Sequence, residues 1–200
     1  VLSVFLLSSK LFGRTGWKIT QLFVGFCMVI ISKAGNPSSN RPYDLSKLLQ
    51  RATNYFVYEG TFMKDKIIQG NPLPTCGRWF IVTDDLDAKR LYEPSQEAYA
   101  VEKKVQLVLE GEPGSSVKSS MKVNNYDGPQ KGQTIVTMDL NYTDYQNCAL
   151  LYYRDSGDYE VWNFKLNFKI NTECHRKLAE LPEKTLTVYY RDWCYAGPRG

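Results

Sequence analysis

Glu160 and Trp162 stand two residues apart in a stretch, Tyr159–Ile170, where apolar and polar residues alternate. Trp162, Phe164, Leu166, Phe168 and Ile170 share one parity; Asn163, Lys165, Asn167 and Lys169 share the other. Period-two alternation marks a strand with one dry face and one wet face. Extending the parity backwards puts Glu160 on the dry face, where a carboxylate is costly unless it is paired or solvated. A protonated amine entering such a lumen needs a counter-ion and ring faces that attract cations. Glu160 would supply the charge, and Trp162, Tyr99 and Tyr142 the walls. Two plainer arrangements compete: Glu160 at a solvated mouth, or Glu160 paired with Lys103, with the rings serving only as core. Lys103 shares its parity with Tyr99, Val101, Val105, Leu107 and Leu109. As a free cation it would instead anchor the carboxylate of a fatty acid or eicosanoid.

Other chemistries find little material. His175 is the single histidine, so base-assisted Ser or Cys catalysis has one candidate base, beside a cysteine expected to be bonded. Asp84-Asp85 falls in a turn, and no glycine-rich phosphate loop or metal-ligand spacing occurs. The reading is a binding protein without catalytic residues, metal or cofactor.

The segment Leu22–Ile31 (LFVGFCMVII) is wholly apolar, follows Arg14 and Lys18, and exits through Ser32-Lys33-Ala34. A basic flank, a short apolar run and small exit residues describe a secretory signal. A membrane span needs about 20 apolar residues. Residues 1–34 are therefore assigned as upstream sequence and leader, with cleavage near Ala34/Gly35, and residues 35–200 as one domain. The rival reading is a buried strand or helix. Lys10, Arg14, Lys18 and Lys33 account for the whole net charge of +4. The exported part is balanced, which removes the electrostatic basis for binding nucleic acid or an anionic membrane. Lys89-Arg90 and Lys103-Lys104 read as solvated surface pairs. Cys76, Cys148, Cys174 and Cys194 remain after the leader, an even number that predicts two disulfides in an exported, extracellular chain. Three pairings are open.

Asp44 offers a helix N-cap before Leu45, Leu48, Leu49 and Ala52. Short β-rich runs then follow: Tyr55–Phe62, Arg78–Thr83, Ala98–Glu110, Ser116–Val123, Gln133–Tyr142, Cys148–Arg154, Tyr159–Ile170 and Leu186–Tyr190. Turn residues divide them. Thr172–Leu181 reads as a second short helix stopped by Pro182, and Asp84–Ser95 as a long charged loop that could contact a host protein. The fold expected is mainly β, a closed up-and-down barrel of eight antiparallel strands between two small helices; a two-sheet sandwich is the alternative. Asn141-Tyr142-Thr143 is a glycosylation sequon whose Asn141 points away from the apolar face.

From Tyr43-Asp44 and Lys47–Gln50, through Thr61-Phe62 and Tyr142–Cys148, to Glu160-Val161-Trp162, the chain resembles the tick histamine-binding lipocalins over residues 43–194. The resemblance implies a lipocalin-type barrel and pairing of Cys76 with Cys194 and of Cys148 with Cys174. It also implies a secreted salivary monomer that sequesters histamine or serotonin and so suppresses host defence. The family's amine signature resembles Cys-Asp-aliphatic followed by Glu-Leu-Trp or Glu-Leu-Tyr. Here Ala149 follows Cys148, so that acid is missing, while Glu160-Val161-Trp162 retains the second element. The Gly-x-Trp motif of other lipocalins is replaced by Glu59-Gly60-Thr61.

Overall fold

The computed structural model describes residues 42–68, 75–82, 84–96, 98–166, 172–181 and 185–195. The leader assignment, the cleavage site and the inward placement of Phe168 and Ile170 lie outside these.

Helix α1 (Leu45–Leu49) starts where Asp44 accepts a hydrogen bond from the Ser46 N–H at 3.0 Å. Its leucines Leu45, Leu48 and Leu49 are buried in the main core. Nine strands follow: β1 (Asn54–Gly60), β2 (Arg78–Ile81), β3 (Asp87–Tyr92), β4 (Val101–Glu110), β5 (Ser120–Asn125), β6 (Thr134–Thr143), β7 (Cys148–Tyr153), β8 (Asp158–Asn163) and β9 (Thr187–Val188). Helix α2 (Glu173–Ala179) lies between β8 and β9. Consecutive strands from β2 to β8 pair antiparallel, and β1 pairs with both β8 and β2, which closes an eight-stranded barrel. β9 is an addition: Gly60↔Thr187 and Glu59↔Val188 extend the edge of β1 beyond the reach of β2.

The expected strand count is therefore right, but one member is corrected. Asp84–Ser95 is not a long loop, because β3 lies within it; Leu186–Tyr190 contributes only the short β9 and is not a barrel stave. The reason is parity. Ala88, Arg90 and Tyr92 face inward, and an arginine on the inner face breaks the apolar alternation by which a strand is recognised.

Both barrel ends are filled. α1 precedes β1 at one end, where the Tyr55 hydroxyl donates to the Leu48 carbonyl at 2.8 Å. At the other end the chain leaving β1 folds in, burying Phe62 and Ile67 in the same core. Gly60 is needed there, because a Cβ would collide with the Tyr159 carbonyl oxygen and crowd the Tyr189 hydroxyl. That hydroxyl donates to the Phe62 carbonyl at 2.6 Å.

Outside the barrel, α2 packs Cys174 and Leu178 on Cys148, Leu150 and Val161. The disulfides are Cys76–Cys194 and Cys148–Cys174, the pairing implied by the family resemblance.

Candidate functional site in the barrel lumen

Glu160 faces inward and is fully buried, as the alternation on β8 requires. Its carboxylate is saturated. Oε1 accepts from the Trp79 indole N–H at 3.1 Å, from Arg90 Nη1 at 3.0 Å and from the Trp162 indole N–H at 2.5 Å. Oε2 accepts from Arg90 Nη2 at 3.0 Å and from the Tyr153 hydroxyl at 2.9 Å. Five elements meet here: β2 supplies Trp79, β3 Arg90, β7 Tyr153, β8 Glu160 and Trp162, and the segment after β1 supplies Asp65. Asp65 Oδ2 accepts from Arg90 Nε at 2.9 Å, while Oδ1 holds the N–H groups of Ile67 and Ile68 at 2.8 and 3.0 Å.

Arg90, also fully buried, rests over the Trp79 ring at 5.3 Å. Burial acts to lower its pKa, but the charges of Asp65 and Glu160 outweigh burial and hold it above the ordinary arginine value. The Tyr153 phenol is pushed well up, first by burial and then by the Glu160 charge. Trp79 and Trp162 lie 5.4 Å apart, and Tyr55 stands 5.1 Å from Trp162. Among the described residues the Tyr92 hydroxyl is buried without a hydrogen-bond partner. Its pKa is raised by burial and then by the field of Asp65.

The network contains two carboxylates and one guanidinium, and its formal charge is negative. Replacing buried ion pairs with apolar side chains is often neutral for stability.

Several expected placements change. The partner of Glu160 is Arg90, not Lys103, and the Lys89-Arg90 pair is not a solvated surface pair, because Arg90 turns inward. Lys103 sits opposite Arg90 in the β3–β4 register and is half-buried. Tyr99 is no lumen wall: it precedes β4 and is 90 % exposed. Tyr142 is also outside, packed edge-on at 5.5 Å from Tyr43 and under the Lys177 ammonium at 4.7 Å. A bulge between Leu140 and Tyr142 reverses its parity. Ala149 faces the core opposite Trp162, so a methyl group occupies the wall where the family signature carries its acid. Asn141 is exposed, on the outer surface.

Asp65, Arg90, Trp79 and Tyr153 were not legible as site residues. The parity shared by Ala88, Arg90 and Tyr92 was the one available signal for Arg90. Nothing in the local pattern marked Asp65, whose place depends on how the chain folds back into the barrel end.

A closed antiparallel barrel with ionic and aromatic groups converging in its lumen defines a lipocalin-like, small-molecule-binding protein. The family model of the tick histamine binding protein matches residues 84–196, more than half of the chain, and the chain belongs to that family. Among solved structures it is similar to AM182 in complex with serotonin, with 16 % identity and a TM-score of 0.53 over 77 % of this chain and 94 % of that one. It is also similar to insecticyanin from the tobacco hornworm Manduca sexta, with 11 % identity and a TM-score of 0.46 over 70 % and 71 % of the two chains. Lobster apocrustacyanin A1 gives 12 % identity and a TM-score of 0.45 over 69 % and 76 %. No curated protein sequence matches the chain.

Proposed function

We propose that this protein is a secreted carrier that sequesters a biogenic amine, histamine or serotonin, in the barrel lumen and so withholds it from host defence. One observation carries the proposal: the buried network of Asp65, Arg90 and Glu160 holds one more negative group than positive. A compact ammonium brings that network to neutrality, and the faces of Trp79 and Trp162 attract cations. Because Glu160 is saturated by its own partners, the amine is assigned to the Asp65 side of Arg90, toward the Tyr92 hydroxyl, which has no hydrogen-bond partner among the described residues. Glu160 and Trp162 then act by fixing Arg90. Entry requires the segment Thr61–Ile68 to lift from the barrel end.

A fatty acid or eicosanoid is less well served. Its carboxylate would need a free cation, and Arg90 is already bidentate on Glu160. The reading as a blocker of a host protein loses its long loop to β3. Calorimetric titration with histamine and serotonin, in parallel with displacement of a fluorescent fatty acid by arachidonate, tests the choice. Saturable heat with either amine and no displacement is the expected result. Displacement without amine heat would overturn the proposal.

A further inference from the structure

Asn141-Tyr142-Thr143 is the one Asn-x-Ser/Thr sequence of the chain in which x is not proline. It falls at the end of β6, where Leu140 pairs with Leu151 and Tyr142 with Leu150, so Asn141 is the extra residue of the bulge. The register with β5 has already ended at Ser120↔Asp139. Asn141 is exposed, and its carboxamide makes no hydrogen bond among the described residues.

Thr143 is in the opposite condition. It is 3 % exposed, and its hydroxyl donates to the Cys148 carbonyl at 2.8 Å while accepting from the Tyr145 N–H at 2.9 Å. Asp144 Oδ1 accepts from the N–H groups of Gln146, Asn147 and Cys148, which closes the turn over it. Cys148 is bonded in turn to Cys174. Glycan transfer requires the hydroxyl at the third position as well as the asparagine. The folded barrel offers the asparagine and locks the hydroxyl away.

We propose that Asn141 carries an N-linked glycan, attached to the unfolded chain before the β6–β7 hairpin and the Cys148–Cys174 disulfide close around Thr143. The donor is a lipid-linked oligosaccharide diphosphate of the secretory pathway. The Asn141 carboxamide nitrogen forms a bond to the anomeric carbon of the sugar, the lipid diphosphate leaves with the electron pair, and the amide proton passes to a base of the transferase. Order of synthesis allows it, because Thr143 precedes both Cys148 and Cys174 in the chain. The glycan also has room after folding. It stands at the barrel end where Tyr142 packs on Tyr43 and the Tyr145 hydroxyl holds the Asp44 N–H at 2.7 Å, away from the segment Thr61–Ile68. The inference rests on the secretory route proposed above and on no ligand.

Residues 1–34 are exchanged for a heterologous signal peptide and the protein is secreted from human cells; the retained residues hold the whole barrel and both disulfides. Peptide N-glycosidase F in ¹⁸O-water should leave a labelled aspartate at position 141 in most molecules, and Asn141→Gln protein should be secreted without the glycan. In a second arm, bacterially made protein is presented to microsomal transferase with the lipid-linked donor. The reduced, carboxymethylated chain should accept a glycan at Asn141 and the refolded, disulfide-bonded protein none. Because the added signal supplies entry, a missing glycan counts against the site, whereas failure of residues 1–34 to direct export counts against the route. Secreted, disulfide-bonded wild type without a glycan at Asn141, or refolded protein modified as readily as the reduced chain, would overturn the proposal.

Discussion

The Arg90 guanidinium lies bidentate on the Glu160 carboxylate, Nη1 and Nη2 each 3.0 Å from a different oxygen, with both side chains wholly buried. β3 and β8 are not neighbours in the sheet, so the pair spans the lumen. Asp65 on the remaining guanidinium edge ties the segment after β1 to the same charge. The inner face of the barrel therefore carries its own cation between two acids, against two indole rings.

Removing that cation should be costly. Arg90→Met leaves two buried carboxylates without a counter-charge and is expected to lose about 3–5 kcal/mol of stability. Adding Glu160→Met and Asp65→Leu should recover much of the loss, since apolar replacement of a whole ionic cluster is often near neutral. Urea unfolding of the single and triple variants reads both values. A loss below about 1 kcal/mol for Arg90→Met would show that water reaches the network.

Alkali should distinguish two classes of tyrosine. Burial raises the phenols of Tyr55, Tyr153 and Tyr189 above the ordinary 10.0; the Glu160 charge adds to the shift at Tyr153 and Tyr189. With folded values above unfolded ones, their contribution to stability is complete below about pH 10 and is lost as pH rises through the folded values. Ultraviolet titration of the native protein should show exposed phenols such as Tyr99 ionising first. The buried set should ionise together with unfolding, in one cooperative step. Smooth, independent ionisation of all tyrosines would contradict the burial of these three phenols.

Acid should expose the loop between β6 and β7. Burial pushes the Asp144 carboxyl up, but N–H groups of Asn147, Gln146 and Cys148 outweigh it and hold the group below its ordinary 3.8. A depressed folded value gives stability that is present above the unfolded pKa and disappears as pH falls through the folded one. Asp144→Asn should therefore flatten the acid limb of the stability profile below about pH 4. Unfolding midpoints measured from about pH 6 to about pH 2 check it.

The two disulfides should differ in weight. Cys76–Cys194 closes 118 residues and Cys148–Cys174 closes 26. In the chain-entropy view the longer loop constrains the unfolded chain more, by about 5 kcal/mol against about 3.5. Paired Cys→Ser variants, compared by thermal unfolding, should rank in that order.

Much of the barrel was legible because its strands alternate cleanly. β6 carries Val136, Met138 and Leu140 inward with period two, and β8 carries Glu160 and Trp162 inward; on β8, however, the parity expected to be wet is buried as well, with Val161 packed against α2 and Asn163 1 % exposed. Parity failed at Tyr142, where the bulge after Leu140 shifts the face by one residue. It also failed at β3, where Arg90 replaces an apolar inward residue. The inward acid could be read, but not its satisfaction. Pairing across a lumen depends on register between distant strands and on the infolded Asp65, neither of which a local pattern encodes.

The charge imbalance can be measured directly by titrating histamine and serotonin calorimetrically into wild-type and Asp65→Asn protein at neutral pH. The substitution leaves Arg90 balanced by Glu160 alone, so amine affinity should fall tenfold or more while the barrel stays folded. Undiminished affinity in the folded variant would contradict assignment of the amine to the extra carboxylate.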